Sequence, residues 1–166
     1  MAAHIRTLKS DEVELFRELR LRAIDDTPQA FVESRKEALA RSAAEWRELA
    51  ELVAGQPGSV MFVAEEKQRA SGFIFGRIDP EERLLGHIGG LWVDRACARR
   101  DTADALLEST IHWARSCGLQ RLLLMVAGGA SVPERVYLNA GFRNTGCTEK
   151  MPGATTVEMR EMLLEL

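Results

Sequence analysis

The sequence predicts a mixed α/β fold built on one sheet. Three observations carry that expectation. The chain opens on a short β-type run followed by helical periodicity; its middle switches to three successive β-rich runs; and an amphipathic helix, a buried strand, a short helix and a last β-rich run complete it. At 166 residues the chain fits one compact domain over residues 1–166, because a split would leave each half with a marginal core.

Residues 4–8 (HIRTL) set Ile5 and Leu8 among polar neighbours and read as a short strand. Ser10 is placed to cap a helix with Asp11 and Glu12 in its first turn, where the helix dipole favours acids, and Val13, Phe16, Leu19 and Ala23 follow at helical spacing. After the break at Pro28 a second helical stretch runs over about 33–53, with Leu39, Trp46, Leu49 and Val53 on one face, and "GQPGS" ends it. "VMFVAEE" and "SGFIFGRID", joined by the charged turn "EEKQRA", predict an antiparallel hairpin, and "LLGHIGGLWVD" (84–94) pairs next. Gly86, Gly89 and Gly90 weaken that third strand and predict a bulge or a close backbone approach. Residues 102–118 form an amphipathic helix with Leu106, Leu107, Thr110, Ile111 and Ala114 inward and Gly118 as its stop. "LQRLLLMVA" is a buried strand, 132–142 a short helix with Pro133 in its first turn, and "TTVEMREMLLEL" a final strand.

Composition excludes several classes. Apolar residues are 46% and charged residues 28% of the chain, a globular balance. The 22 Lys and Arg are scattered among 25 Asp and Glu, so no face for nucleic acid is expected. Cys97, Cys117 and Cys147 are odd in number and lack metal-ligand spacing, which argues against a disulfide framework or a zinc site and suits a reducing cytoplasm. "MAAHIRTLKSDEVELF" becomes polar too early for a signal peptide, and no run is long enough to span a membrane.

The runs "GLWVD", "ALLESTIHWARSCGLQRLLLMV" and "VYLNAGF", in this order of elements, resemble the GNAT family, the Gcn5-related N-acetyltransferases. "LRLRAIDDTPQAF" is similar to the first helix and acceptor loop of small bacterial members, so the resemblance covers nearly the whole chain. It implies an acyl-CoA N-acyltransferase fold, a central, mostly antiparallel sheet flanked by helices, and direct transfer of an acetyl group from acetyl-CoA to an amine on a small molecule. The pantetheine arm would bond to backbone at Leu91, Trp92 and Val93. The pyrophosphate would sit on the loop Ala98, Arg99, Arg100, Asp101, Thr102 and Ala103 at a helix start, where free N–H groups and the dipole favour anions. "YLNAGF" matches the family's Tyr-x-x-x-Gly-Phe, making Tyr137 the general acid for the leaving thiolate. His87 lies on the strand where some members carry their general base, and Glu33, Glu65 and Glu66 are equally open as bases. Phe31 and Glu33 fall in the acceptor loop. No metal is implied, and a dimer through the last strand is an expectation only.

The cofactor loop departs from the family pattern. Ala98 stands for the usual polar or basic residue, Asp101 for the central glycine, and Ala130 for an asparagine that often precedes the tyrosine helix. Asp101 brings a Cβ that obstructs phosphate and a carboxylate able to cap the helix itself. A carboxylate about 4 Å from a pyrophosphate opposes it by on the order of 1 to 4 kcal/mol in wet surroundings. Arg95, Arg99 and Arg100 would offset part of that loss by forking onto phosphate oxygens. Two readings therefore stay open: an acetyltransferase with weakened donor binding, and a GNAT-fold protein that has lost acetyl-CoA use and binds another ligand or runs other chemistry in the vacated cleft. The residues also admit plainer roles. The loop can be a basic turn before an Asp-capped helix, Tyr137 a core tyrosine, and His87 a partly exposed strand residue. Cys97 as a nucleophile has no base placed beside it by sequence, and Trp46, Trp92 and Trp113 suit packing.

Overall fold

A computed structural model describes residues 2–97, 100–127, 132–151 and 158–166. The elements are β1 (His4–Thr7), α1 (Val13–Asp26), a 3-10 turn (Pro28–Ala30), α2 (Arg35–Ala40), α3 (Ala43–Ala50), a π turn (Glu51–Gly55), β2 (Ser59–Glu66), β3 (Arg69–Ile78), β4 (Leu85–Val93), α4 (Arg100–Ser116), β5 (Arg121–Ala127), α5 (Val132–Asn139), β6 (Arg143–Lys150) and β7 (Glu158–Glu165). They build one seven-stranded sheet in the order β1-β2-β3-β4-β5-β7-β6. All neighbours run antiparallel except β4 and β5. This is the mixed, mostly antiparallel sheet expected, with helices on both faces.

Local chemistry explains where the elements differ from expectation. Helix α1 starts at Val13 and not at Ser10, and its N-cap is Glu12 without a side-chain cap. Glu12 instead accepts from the Lys9 N–H at 2.8 Å and from the two terminal Arg6 guanidinium nitrogens at 2.9 Å. The stretch expected as one helix over 33–53 is two, because Arg41 turns extended (ψ 138°) between them. Each half has its own capping box, Ser34 with Glu37 and Ser42 with Glu45, which satisfies two orphan N–H groups at each start. The break changes the helical phase, so Ala38 is buried and Leu39 is exposed. The predicted hairpin turn is made by Lys67 and Gln68, both at positive φ (48° and 65°), the twist a two-residue turn requires. Gly118, at φ 75°, ends α4, with its own N–H on the Arg115 carbonyl and the Leu119 N–H on that of Ala114, both at 3.0 Å. Helix α5 ends at Asn139, and residues 143–150, given no element by the sequence pattern, form β6.

Two apolar clusters hold the sheet between its helices. Met61, Val63, Phe73 and Trp92 face α1 and α3, packing on Phe16, Leu19, Ile24 and Trp46. Ile74, Ile88, Leu122, Leu124 and Met162 face the other way, onto Leu106, Leu107 and Ala114 of α4 and Tyr137 of α5. Fully burying one such leucine or phenylalanine contributes about 1.5–3 kcal/mol. No helix among the described residues is long and apolar enough to cross a membrane.

Candidate functional site

The parallel seam at the middle of the sheet is short. β4 and β5 pair only at Leu85–Arg121, Gly86–Leu122 and His87–Leu123. Beyond these, β4 stays paired to β3 as far as Val93 opposite Gly72, and β5 stays paired to β7 as far as Ala127 opposite Met159. The two strands thus diverge, and residues 88–93 of β4 and 124–126 of β5 form no pairs with each other among the described residues. Backbone donors and acceptors inside a fold call for a partner. An extended ligand with amide groups can supply it.

A bulge sets which way β4 presents its side chains along this gap. Phe75 pairs with Gly89 and Phe73 with Trp92, so three steps on β4 match two on β3. The extra residue lies at Gly90–Leu91, where Gly90 takes φ 67° and a Cβ would stand 2.5 Å from the Phe75 ring. A one-residue insertion reverses the facing of the residues beyond it. Trp92 therefore joins Phe73 on the α1 side at a ring separation of 5.5 Å, while Leu91 and Val93 pack on the α4 side. The glycine-rich expectation for this strand is met at Gly90.

His87 alternates with Ile88 and so faces the α1 side, at the last pair before the strands part. Its Nε2 lies 2.7 Å from Asp79 Oδ2. Asp79 Oδ1 accepts the N–H groups of Glu81 and Glu82 at 2.8 and 2.9 Å, which fixes the carboxylate. The His87 bond and then the Glu81 N–H hold the Asp79 carboxyl below its usual range. An ionised Asp79 accepts a hydrogen bond from His87 Nε2–H, which leaves Nδ1 as the ring nitrogen turned away from the carboxylate. The sequence pattern did not single out Asp79 as a partner. The eight-residue separation across a hairpin, with strands flanking 79–84, was the signal that could have found it.

The three glutamates open as bases are engaged elsewhere. Glu33 pairs with Arg41 and, at 3.6 Å, with Arg20. Glu65 accepts from Arg6 at 2.8 Å. Glu66 accepts the Thr102 hydroxyl at 3.1 Å. The structure does bring Phe31 and Glu33 together, since Arg20 lies 4.7 Å over the Phe31 ring and also faces Glu33. Burial pushes the Arg20 guanidinium down from its ordinary value and Glu33 opposes that shift.

At the far end of β4 the chain turns on Asp94. Its Oδ1 accepts the Ala96 N–H at 2.9 Å and its carbonyl accepts the Cys97 N–H at 3.0 Å. Burial works against an ionised Asp94, but the Ala96 N–H and the Arg22 guanidinium outweigh it and hold the carboxyl below its usual range. Ala98, Arg99, the Arg100 side chain and Ala130 lie outside the described residues. Helix α4 begins at Arg100, two residues earlier than expected. Thr102 and Ala103 are buried in its first turn. Asp101 does not cap the helix: its side chain is exposed and makes no hydrogen bond or ion pair among the described residues. Two consecutive residues of a helix point about 100° apart, and here the core takes Thr102 and Ala103, which turns Asp101 outward.

Tyr137 is 2% exposed in the cluster on the α4 side, with its ring 5.5 Å from Phe142. Burial raises its phenol above the ordinary value, so it keeps its proton at neutral pH. His87 and Tyr137 therefore stand on opposite faces of the sheet. Cys97 is half-buried. No group of metal-ligating side chains occurs among the described residues.

A mixed sheet that opens along one parallel seam, with a helix start beyond the opening, defines the GNAT class of fold. The sequence profile of the acetyltransferase (GNAT) family matches residues 18–142, and the chain belongs to that family. Among solved structures, an acetyltransferase of the GNAT family from Streptococcus pneumoniae is 16% identical, with 99% of each chain covered and a TM-score of 0.78. A putative acetyltransferase from Salmonella typhimurium, solved with its cofactor acetyl-CoA, is 19% identical over 100% of this chain and 95% of that one, at TM-score 0.76. A ribosomal-protein-alanine N-acetyltransferase from Brucella melitensis is 18% identical over 98% and 99%, at TM-score 0.78. No curated protein matches the sequence.

Proposed function

We propose that this protein transfers an acetyl group from acetyl-CoA directly to the amine of a small-molecule acceptor. The observation that carries the reading is the end of β4–β5 pairing at His87 and Leu123, beyond which residues 88–93 of β4 make no pair with β5 among the described residues. That opening fits a pantetheine arm, an extended chain with two amides. Backbone groups of Leu91, Trp92 and Val93 would hold it, and the first turn of α4 around Thr102 and Ala103 would face the pyrophosphate. Acetyl-CoA supplies the activated acyl group.

In this reading the neutral amine attacks the thioester carbonyl carbon from the α1 side. The N–C bond forms and the C–S bond breaks. The amine's proton passes to His87 Nδ1, directly or through water, while Asp79 stabilises the imidazolium. A β4 backbone N–H near Trp92 or Val93 polarises the carbonyl. The thiolate leaves on the α4 side and takes the Tyr137 proton. Placing the base and the acid on opposite faces suits a transfer that runs through the sheet.

Asp101 favours a second reading, in which acetyl-CoA is no longer used and the cleft serves another ligand. Its exposed carboxylate adds negative charge to a helix start that would otherwise attract phosphate. Thiol release with acetyl-CoA and a panel of small amines separates the two, with Tyr137→Phe as the internal check. The acetyltransferase reading expects turnover in the wild type and a fall of about 10²-fold or more in Tyr137→Phe at nearly unchanged acetyl-CoA affinity. Equal turnover in both proteins removes Tyr137 from the chemistry.

A further inference from the structure

Two of the three arginines of helix α1 have different tasks. Arg20 holds the loop that follows the helix, through Phe31 and Glu33. Arg22, two residues on and so about 200° around the helix, points to the sheet. It pairs with Asp94, donates to the Ala70 carbonyl at 3.0 Å, and lies 5.3 Å over the Trp92 ring. The last residue of the same helix joins in, since Trp92 Nε1 donates to Asp26 Oδ2 at 3.2 Å and Arg95 donates to the Asp26 carbonyl at 3.3 Å. Asp94 in turn makes the turn that leads from β4 towards α4. The end of α1, the end of β4 and the start of the following loop are therefore one connected unit, and Thr27 to Ser34 continue directly from it.

We infer that Arg22 is a positioning residue that couples the two substrate regions: an acyl donor seated along β4 orders the acceptor loop, residues 27–34, through Asp94, Trp92 and Asp26. The inference rests on the proposed use of the β4–β5 gap by acetyl-CoA. Physically, a donor that bonds to β4 backbone at Trp92 and Val93 restrains the end of the strand, where Trp92 and the adjacent Asp94 are held by Arg22 and Asp26 of the C-terminal half of α1. Restraint at one end lowers the freedom left to lose at the other. Arginine is required because three bonds of different direction converge on it: a charge pair, a carbonyl contact and stacking on an indole. Lysine's single ammonium lacks the planar fork that meets all three at once.

Hydrogen–deuterium exchange on the full chain, with and without saturating acetyl-CoA, tests this. In the wild type, acetyl-CoA should slow exchange both in residues 91–103 and in 27–34, the latter by about fivefold or more. In Arg22→Gln, protection of 91–103 should persist while that of 27–34 falls below about twofold, with Arg22→Lys in between. Asp94→Asn cuts the same link from the other side while keeping an oxygen for the Ala96 N–H, so the test survives if the arginine variants fold poorly. Protection confined to 91–103 in the wild type, or equal protection of 27–34 in Arg22→Gln, overturns the coupling alone. A wild type that gains no protection anywhere overturns the donor reading and the coupling with it.

Discussion

The two edges of β4 are opposites. On its β3 edge the strand is paired from Gly86 to Val93, with one bulge absorbed on the way. On its β5 edge three pairs suffice to join the halves of the sheet, and then the strands part. The β3 edge supplies rigidity: Gly72 lies so close to the end of β4 that a Cβ there would meet the Trp92 carbonyl oxygen at 2.7 Å. The β5 edge past those three pairs has no strand pairing among the described residues. An enzyme of this fold needs both, because an unpaired edge can bind a ligand with precision only if the other edge holds the strand still.

The largest effect should come from the residues facing the opening. His87→Ala should lower turnover by roughly 10²-fold, and Asp79→Asn by roughly tenfold, if the pair acts as base and orienter. Equal turnover in His87→Ala and wild type would return His87 to a strand residue with no chemical part. The pair also links to pH. Because Asp79 titrates below its usual range in the fold, its stabilising contribution is present above the unfolded value near ~3.9 and is lost as pH falls through the lower folded value. Acid unfolding followed by circular dichroism should therefore be less pH-dependent in Asp79→Asn.

A smaller effect distinguishes two glycines of similar positive φ. Gly90 on β4 and Gly118 after α4 have φ of 67° and 75°, but a Cβ meets the Phe75 ring only at Gly90, and open space at Gly118. Alanine at either position should cost about 1 kcal/mol for its backbone, and at Gly90 about 1–3 kcal/mol more for overpacking. Only Gly90→Ala should also weaken acetyl-CoA, since it shifts the bulge that aims Trp92. Thermal melts and calorimetric titration of both variants check this, and equal loss of affinity in the two would break the link between bulge and donor.

The smallest effect is at the helix start. Asp101→Gly should tighten acetyl-CoA by roughly three- to tenfold at low ionic strength, because an exposed charge in water opposes a phosphate by about 1 kcal/mol. The gain should shrink with added salt. A gain that salt does not change would point to the Cβ and not the charge.

How much of this was legible in the sequence depends on the kind of signal each part carries. Periodicity and punctuation placed α4, β5 and the β2–β3 hairpin, because buried faces repeat and turns need particular residues. β6 was invisible: every residue of RNTGCTEK is exposed, so no face repeats. The break at Arg41 had a local signal in Ser42 and Glu45, outweighed by the helical spacing around it. Bonds between distant elements, such as Arg22 with Asp94 or Trp92 with Asp26, leave no trace in spacing. The divergence of β4 and β5 is likewise a property of pairing; the glycines of β4 hinted at it without showing which edge would open.

Calorimetric titration of acetyl-CoA into the wild-type protein tests the central claim most directly. Binding in the micromolar range, lost or weakened at least tenfold in Gly90→Ala, is the predicted result. A folded wild type that shows no binding, with binding gained in Asp101→Gly, would contradict it and show that the opening no longer serves an acyl-CoA.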